Sequence, residues 1–205
     1  MLITGIIRQR GGMLSIRSQG EEVALLDPET FDRAADLALG CEISEERLEE
    51  LAHESRYRVV RAKALGIVTR KEVCRRGLKR TLADGGADED ICEAVADELT
   101  ALGLIDDRRF ADMMADELFR LKNYAERRVA YELTQKGVSR ELAAEAAAAN
   151  APDPAEAIDL LLGGRLQRDT GTEAGLRRCI NTLSRYGYDM SDIRAGLERL
   201  RDGLE

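Results

Sequence analysis

The sequence has no tryptophan, a single histidine and only 4% aromatic residues. So few rings argue against a nucleic-acid interface built on stacking platforms, where successive bases lie on aromatic side chains. The lone histidine, His53, sits in an acidic helical segment with no cysteine near it. A Cys/His zinc site or a histidine-dependent triad would have to be built on this one residue, and neither is expected. The four cysteines, Cys41, Cys74, Cys92 and Cys179, are widely separated and form no C-x-x-C pair. The last three fall among apolar helix positions and read as small buried hydrophobes. There is no leader-like segment and no run of 18 apolar residues, so the expectation is a cytoplasmic protein with reduced thiols and no membrane association. The phosphate-loop, H-E-x-x-H and G-x-S-x-G signatures are all missing. No enzyme, cofactor or metal is therefore expected, although 39 acidic residues leave a paired-carboxylate hydrolase open.

What is present is charge, unevenly placed. The chain is 44% hydrophobic and 34% charged with a net charge of −8, a composition that fits a soluble, helix-rich protein. Residues 1–54 hold 5 basic and 12 acidic side chains. The stretch Arg56–Arg80 then holds ten Lys/Arg and one acid, Glu72. Tyr57, Val60, Ala64 and Ile67 recur at helical spacing, as do Cys74, Leu78 and Leu82, and Thr69 with Glu72 has the spacing of a capping box. Arg75, Arg76 and Lys79 fall away from the apolar face at about 100° per residue. The plain reading of this stripe is a solvated helix face; its excess of positive charge points to a surface that meets a polyanion.

Before the basic stretch, alternating Leu14 and Ile16 and the run Val23–Leu26, with glycine turns at Gly11-Gly12 and Gly20, predict a three-stranded antiparallel meander over Leu2–Leu26. A helix after Pro28, with Phe31, Ala34, Ala35 and Ala38 on one face and ended by Gly40, is expected to cover it. Ser44 caps a further helix that runs toward the basic stretch. From Tyr57 onward the pattern is helical and repeats. Leu82 and Gly86, Leu133 and Gly137, and Leu183 and Gly187 share an L-x-x-x-G marker, with the glycines 51 and 50 residues apart. In each case glycine stops a helix and a polar residue (Asp88, Ser139, Ser191) caps the next. Three units of three helices follow: Tyr57–Ile67, Lys71–Leu82 and Glu89–Leu102; Asp107–Lys122, Glu126–Lys136 and Arg140–Ala149; Ala155–Gln167, Glu173–Tyr186 and Asp192–Leu204. Asp106 or Asp107 caps the helix after Gly103, which explains the adjacent acids without a metal or acid–base role.

The segment Leu104–Ser139, above all Leu104-Ile105-Asp106-Asp107-Arg108-Arg109-Phe110-Ala111 and Glu132-Leu133-Thr134-Gln135-Lys136-Gly137-Val138, closely resembles the central repeat of the RecX family, regulators of the RecA recombinase. Leu183-Ser184-Arg185-Tyr186-Gly187-Tyr188 with Asp192-Ile193 resembles the third repeat, and Arg70-Lys71-Glu72-Val73 the first. The resemblance covers about residues 57–201. It implies a mainly α fold: three tandem three-helix bundles in an elongated, curved array, here preceded by a small β-meander with helices. The units expected are an N-terminal extension over 1–54 and repeats over 55–103, 104–150 and 151–205. It also implies a non-enzymatic protein, expected as a monomer, that binds the RecA filament on single-stranded DNA and lowers its assembly, ATPase, strand exchange and coprotease activity, with direct DNA contact in some members. One departure stands out: where the family often has Lys-Gly-x-Gly, this chain has Lys122-Asn123-Tyr124-Ala125.

The basic residues and their place in the repeats nominate a filament- or DNA-facing set. Unit one contributes Arg58, Arg61, Lys63, Arg75, Arg76, Lys79 and Arg80. Unit two contributes Arg108, Arg109, Lys122, Tyr124, Arg127, Arg128 and Lys136. Surface pairing of Arg108 and Arg109 with the Asp-rich turn, and packing of Tyr124 between bundles, are the competing roles. The alternative function is a helix-turn-helix DNA-binding regulator using Thr69–Val95; the acidity of its later helix counts against it.

Overall fold

The computed structural model describes residues 1–202. Three antiparallel strands open the chain, β1 (Gly5–Arg8), β2 (Leu14–Ser18) and β3 (Glu21–Leu26), in the order β1-β2-β3. Ser18 pairs with Glu21 across Gln19-Gly20, both with positive φ (50° and 90°). That two-residue turn is the one whose twist matches a hairpin. The meander thus forms as the alternation predicts. Its inner face, Ile16, Ala24 and Leu26, is buried with Leu48, Leu51 and Ala52.

Those last three residues belong to α2 (Glu45–Val68), the element that covers the sheet. The helix expected for that task is short: α1 is only Pro28–Arg33, and Ala35 and Ala38 are exposed. Six residues cannot carry a long apolar stripe, and Ala34 leaves the helical conformation at φ −80°, ψ 78°. Gly40 accordingly ends no helix; its N–H donates to the Ile3 carbonyl. Ser44 caps α2 as expected, its hydroxyl accepting from the Arg47 N–H, and the helix continues unbroken through residues 54 and 55. Its second half buries Val60, Ala64 and Ile67.

The remaining helices are α3 (Arg75–Asp84), α4 (Glu89–Ala101), α5 (Asp107–Glu117), α6 (Glu126–Lys136), α7 (Arg140–Asn150), α8 (Pro154–Gly163), α9 (Glu173–Tyr186) and α10 (Met190–Asp202). A π-helical turn, Leu118–Lys122, extends α5, and a short 3-10 turn, Gln167–Asp169, precedes α9. The fold is mainly α with a small N-terminal sheet, as the pattern predicts. Three further local expectations fail. Asp88 stands at the N-cap position of α4 but its side chain makes no capping hydrogen bond. Thr69 and Glu72 form no capping box, because α3 begins at Arg75 and Thr69 closes α2. Ser191 lies inside the first turn of α10 rather than capping it. The predicted end of the last helix at Leu204 falls outside the described residues.

The three L-x-x-x-G sites take one shape. Leu82, Leu133 and Leu183 are fully buried, and Gly86, Gly137 and Gly187 have φ of 84°, 107° and 97°. After each glycine the next N–H (Ala87, Val138, Tyr188) donates back to the leucine carbonyl at 3.1–3.2 Å, the Schellman closure.

The described chain separates into two compact units. One comprises Met1–Glu72 with Leu78–Ile105; the other comprises Val73–Gly77 with the chain from Asp106 onward. In the second unit Phe110, Phe119, Val129, Leu133, Val138 and the alanines of α7 form one core, and Ile158, Leu161, Leu162, Leu183, Tyr188 and Ile193 another. Tyr188 donates its hydroxyl to the Asn123 carbonyl at 3.1 Å, and burial pushes its pKa up to about 12. A phenol held neutral in the fold but free to ionise near pH 10 when unfolded makes the folded state bind more protons over that window. Stability should therefore fall as pH rises from about 10 to about 12, by about 1.4 kcal/mol per unit of separation. Tyr188→Phe should remove this alkaline loss while costing about 1 kcal/mol at pH 7 for the missing hydrogen bond, as read from urea unfolding of both proteins between pH 7 and 11.5.

Candidate interaction surface

The basic residues divide by whether the fold already uses them. On α2, Arg58 is half-buried and pairs with Asp27 at 3.5 Å and with Glu29. Arg61 lies against Glu98 of α4, with Nε 2.8 Å from both carboxylate oxygens, and the Tyr57 hydroxyl donates to the same carboxylate at 2.7 Å. The Arg61 hydrogen bond, and then that of Tyr57, holds the Glu98 carboxyl below the usual range. These two arginines bind the helices of their own unit together. Lys79 pairs with Glu93, and Lys63 is exposed beside Gly85. The later helix of the helix-turn-helix alternative thus spends acidic side chains on intramolecular cations.

In the second unit the acids Asp106 and Asp107 have separate duties. Asp106 caps α5, accepting from the Arg108 and Arg109 N–H groups at 2.9 and 3.0 Å. Asp107 instead accepts from the Arg75 N–H at 2.6 Å, at the start of α3. Arg108 pairs with Asp112 and Glu145 at 3.2 and 2.9 Å, and Arg109 is likewise engaged within the fold.

The helix starts that carry arginine dock on the glycine turns of the following repeat. At Gly137 an added Cβ would lie 3.2 Å from Arg76 Cβ and 3.3 Å from the Gly77 nitrogen; at Gly187 it would lie 2.8 Å from Arg128 Cβ and 3.1 Å from its nitrogen. The residue before each glycine accepts a hydrogen bond from the facing chain: Lys136 O from Cys74 Sγ at 3.0 Å, and Tyr186 O from Ala125 N at 2.9 Å. Gly77 and Arg128 are 51 residues apart, the repeat distance, so one docking device is used twice.

Around the second device Arg128 is fixed. Its guanidinium stands 5.5 and 5.2 Å from the ring centroids of Tyr124 and Tyr131 and pairs with Glu132 at 2.6 Å. Tyr124 meets Tyr186 edge to face at 5.4 Å. Both packing and cation–π contact therefore occupy Tyr124. Asn123 adopts the left-handed conformation (φ 52°, ψ 42°) after the π turn, so the turn survives without glycine.

Exposed and available are Lys63, Arg76, Arg80, Lys122 and Lys136, which have no ion-pair partner among the described residues, and Arg127, whose pair with Asp189 is long (3.5 Å) and solvent-exposed. Arg76 and Arg127 lie six residues before the buried marker leucine, about 120° around the helix from it. The same position in repeat three is Arg177, 75% exposed, whose ion pair among the described residues is an exposed i,i+4 one with Glu173. The sequence reading missed Arg177 because it weighed charge density; counting back from Leu183 identifies it. Gaps of 51 and 50 residues separate the three arginines.

The family model for the second three-helix domain of RecX matches residues 106–146, the segment holding both Asp106 and Gly137. Regulatory protein RecX of Thermobifida fusca (strain YX) is 32% identical over 140 residues, covering 67% of this chain and 76% of that protein. The chain belongs to the RecX family. Regulatory protein RecX of Mycobacterium avium (strain 104) is 30% identical over 141 residues, covering 67% of this chain and 82% of the relative. A crystal structure of regulatory protein RecX shares the fold at TM-score 0.68 with 17% identity, covering 96% of this chain and 98% of that one. RecX from Lactobacillus salivarius gives 0.63 and 17%, covering 71% and 97%. No helix among the described residues of this RecX-family chain is long and apolar enough to cross a membrane.

Proposed function

We propose that this protein regulates a RecA-type recombinase by binding its filament on single-stranded DNA, limiting filament assembly and with it ATPase, strand exchange and coprotease activity, without chemistry of its own. Family membership supplies the partner class. The observation that carries the mode of binding is the exposed arginine at one register of each repeat, Arg76, Arg127 and Arg177. A filament and the nucleic acid within it are periodic and anionic. A repeat protein offering one guanidinium per repeat matches such a target in both sign and repetition.

The testing measurement is the single-stranded-DNA-dependent ATPase of the cognate recombinase, titrated with this protein. Loss of activity at well below one molecule per recombinase subunit is expected, because a regulator of assembly acts on filament ends or growth rather than on every subunit. Full ATPase activity in the presence of excess folded protein, together with sequence-selective binding to duplex DNA alone, would replace this reading with the helix-turn-helix alternative.

A further inference from the structure

The junction of the second and third repeats holds a cleft of opposite character to the arginine positions. Its two ends have cavity volumes of about 340 and 430 Å³, and both are lined by Phe119, Tyr124, Pro152, Ala157 and Tyr188. Three aromatic rings in a chain with so few make this a concentration rather than a sample. The π turn Leu118–Lys122 and left-handed Asn123 carry the chain along one side of the opening. π turns of this kind recur at functional sites. Phe119 and Tyr188 are buried (8% and 4% exposed) and floor the cleft, the Tyr188 hydroxyl being committed to the Asn123 carbonyl, while Tyr124 is half-buried at its wall.

The rim is acidic. Asp116, Glu126 and Glu156 stand around the cleft, are exposed, and have no cationic partner among the described residues. Arg120 at one end offsets a single charge. Some acids of the same repeats are paired internally, Glu132 with Arg128, Glu145 with Arg108 and Asp159 with Arg199; what sets the rim acids apart is that they converge on one apolar opening. Leu160, 69% exposed, adds an apolar edge.

We propose that this cleft docks an arginine or lysine side chain carried beside apolar residues in a partner protein. The unpaired rim carboxylates attract the cation, and the apolar opening beside them, with exposed Leu160 at its edge, receives the flanking side chains. An acidic rim repels nucleic acid, so the occupant is polypeptide. The surface is distinct from the arginine register and does not depend on it.

The test is amide NMR of the full chain titrated with the capped tripeptide acetyl-Leu-Arg-Leu-amide. Saturable shifts are expected at Asn123, Ala125 and Ala157, with a dissociation constant in roughly the millimolar range, set by the small size of the probe. Asp116→Lys with Glu156→Lys, both at exposed positions, should weaken binding about tenfold or more, and the glutamate-centred tripeptide should bind comparably weakly. The proposal is overturned by no saturable shift up to about 10 mM, by equal binding of the two peptides, or by unchanged binding to the charge-reversed protein. It is also overturned if simple dilution without peptide moves the same amides, which would assign the cleft to a second copy of this chain.

Discussion

Gly187→Ala should lower the melting temperature by roughly 5–15 °C, at about 2–4 °C per kcal/mol for a chain of this size. Two costs add. Gly187 has φ 97°, a conformation that costs an L-residue about 1–2 kcal/mol. An added methyl would also stand 2.8 Å from Arg128 Cβ and 3.1 Å from the Arg128 nitrogen, and such overpacking costs about 1–3 kcal/mol more. The far side of this contact is the start of a helix, backbone included, which cannot swing aside as a side-chain tip does. The control is Gly163→Ala: Gly163 lies in α8 with open space around it, so alanine there should be neutral or gain about 0.4–1 kcal/mol. Thermal unfolding followed by circular dichroism separates the two. If Gly187→Ala melts with the wild type, the repeats do not dock through their glycine turns.

Arg76→Glu, Arg127→Glu and Arg177→Glu combined should weaken binding to the recombinase filament by about 100-fold at low salt and leave the folded state intact. The three side chains are exposed, and their ion pairs, where present, are solvent-screened and add little to stability. Facing phosphates, their loss should also flatten the salt dependence of binding, by about 0.7 in log–log slope per contact on single strands. Arg58→Glu with Arg61→Glu should do the reverse. Those residues hold Asp27, Glu29 and Glu98, so their reversal sets like charges against one another and should cost stability before it costs binding. Filament binding at several salt concentrations, beside melting curves for each variant, decides the matter. Unchanged affinity in the triple variant would remove the arginine register from the interface.

How much of the site could be read beforehand follows from the range of the interactions that make it. Arg76 and Arg127 were legible because exposure of a helix residue follows from its angle to the apolar face. Arg177 was equally legible from Leu183, once register rather than charge density was counted. That Arg58 and Arg61 are committed was not legible, since their partners lie 29 to 37 residues away and only folding brings them near. Asp107 is similar. Its type and place announce a helix cap, but the helix it reaches begins 32 residues earlier, at Arg75.

By itself, the sequence determined the features with local causes: the Gln19-Gly20 hairpin, the caps at Ser44, Asp106 and Ser139, and the three glycine closures, each a matter of a few consecutive dihedrals. It also determined the repeat, because a buried leucine and a left-handed glycine must recur wherever the same unit is built. The tertiary structure alone decided which helix covers the sheet, which cations remain available, and where the aromatic cleft opens. Those outcomes depend on side chains far apart in the chain competing for the same partners, and spacing along a sequence does not record who wins.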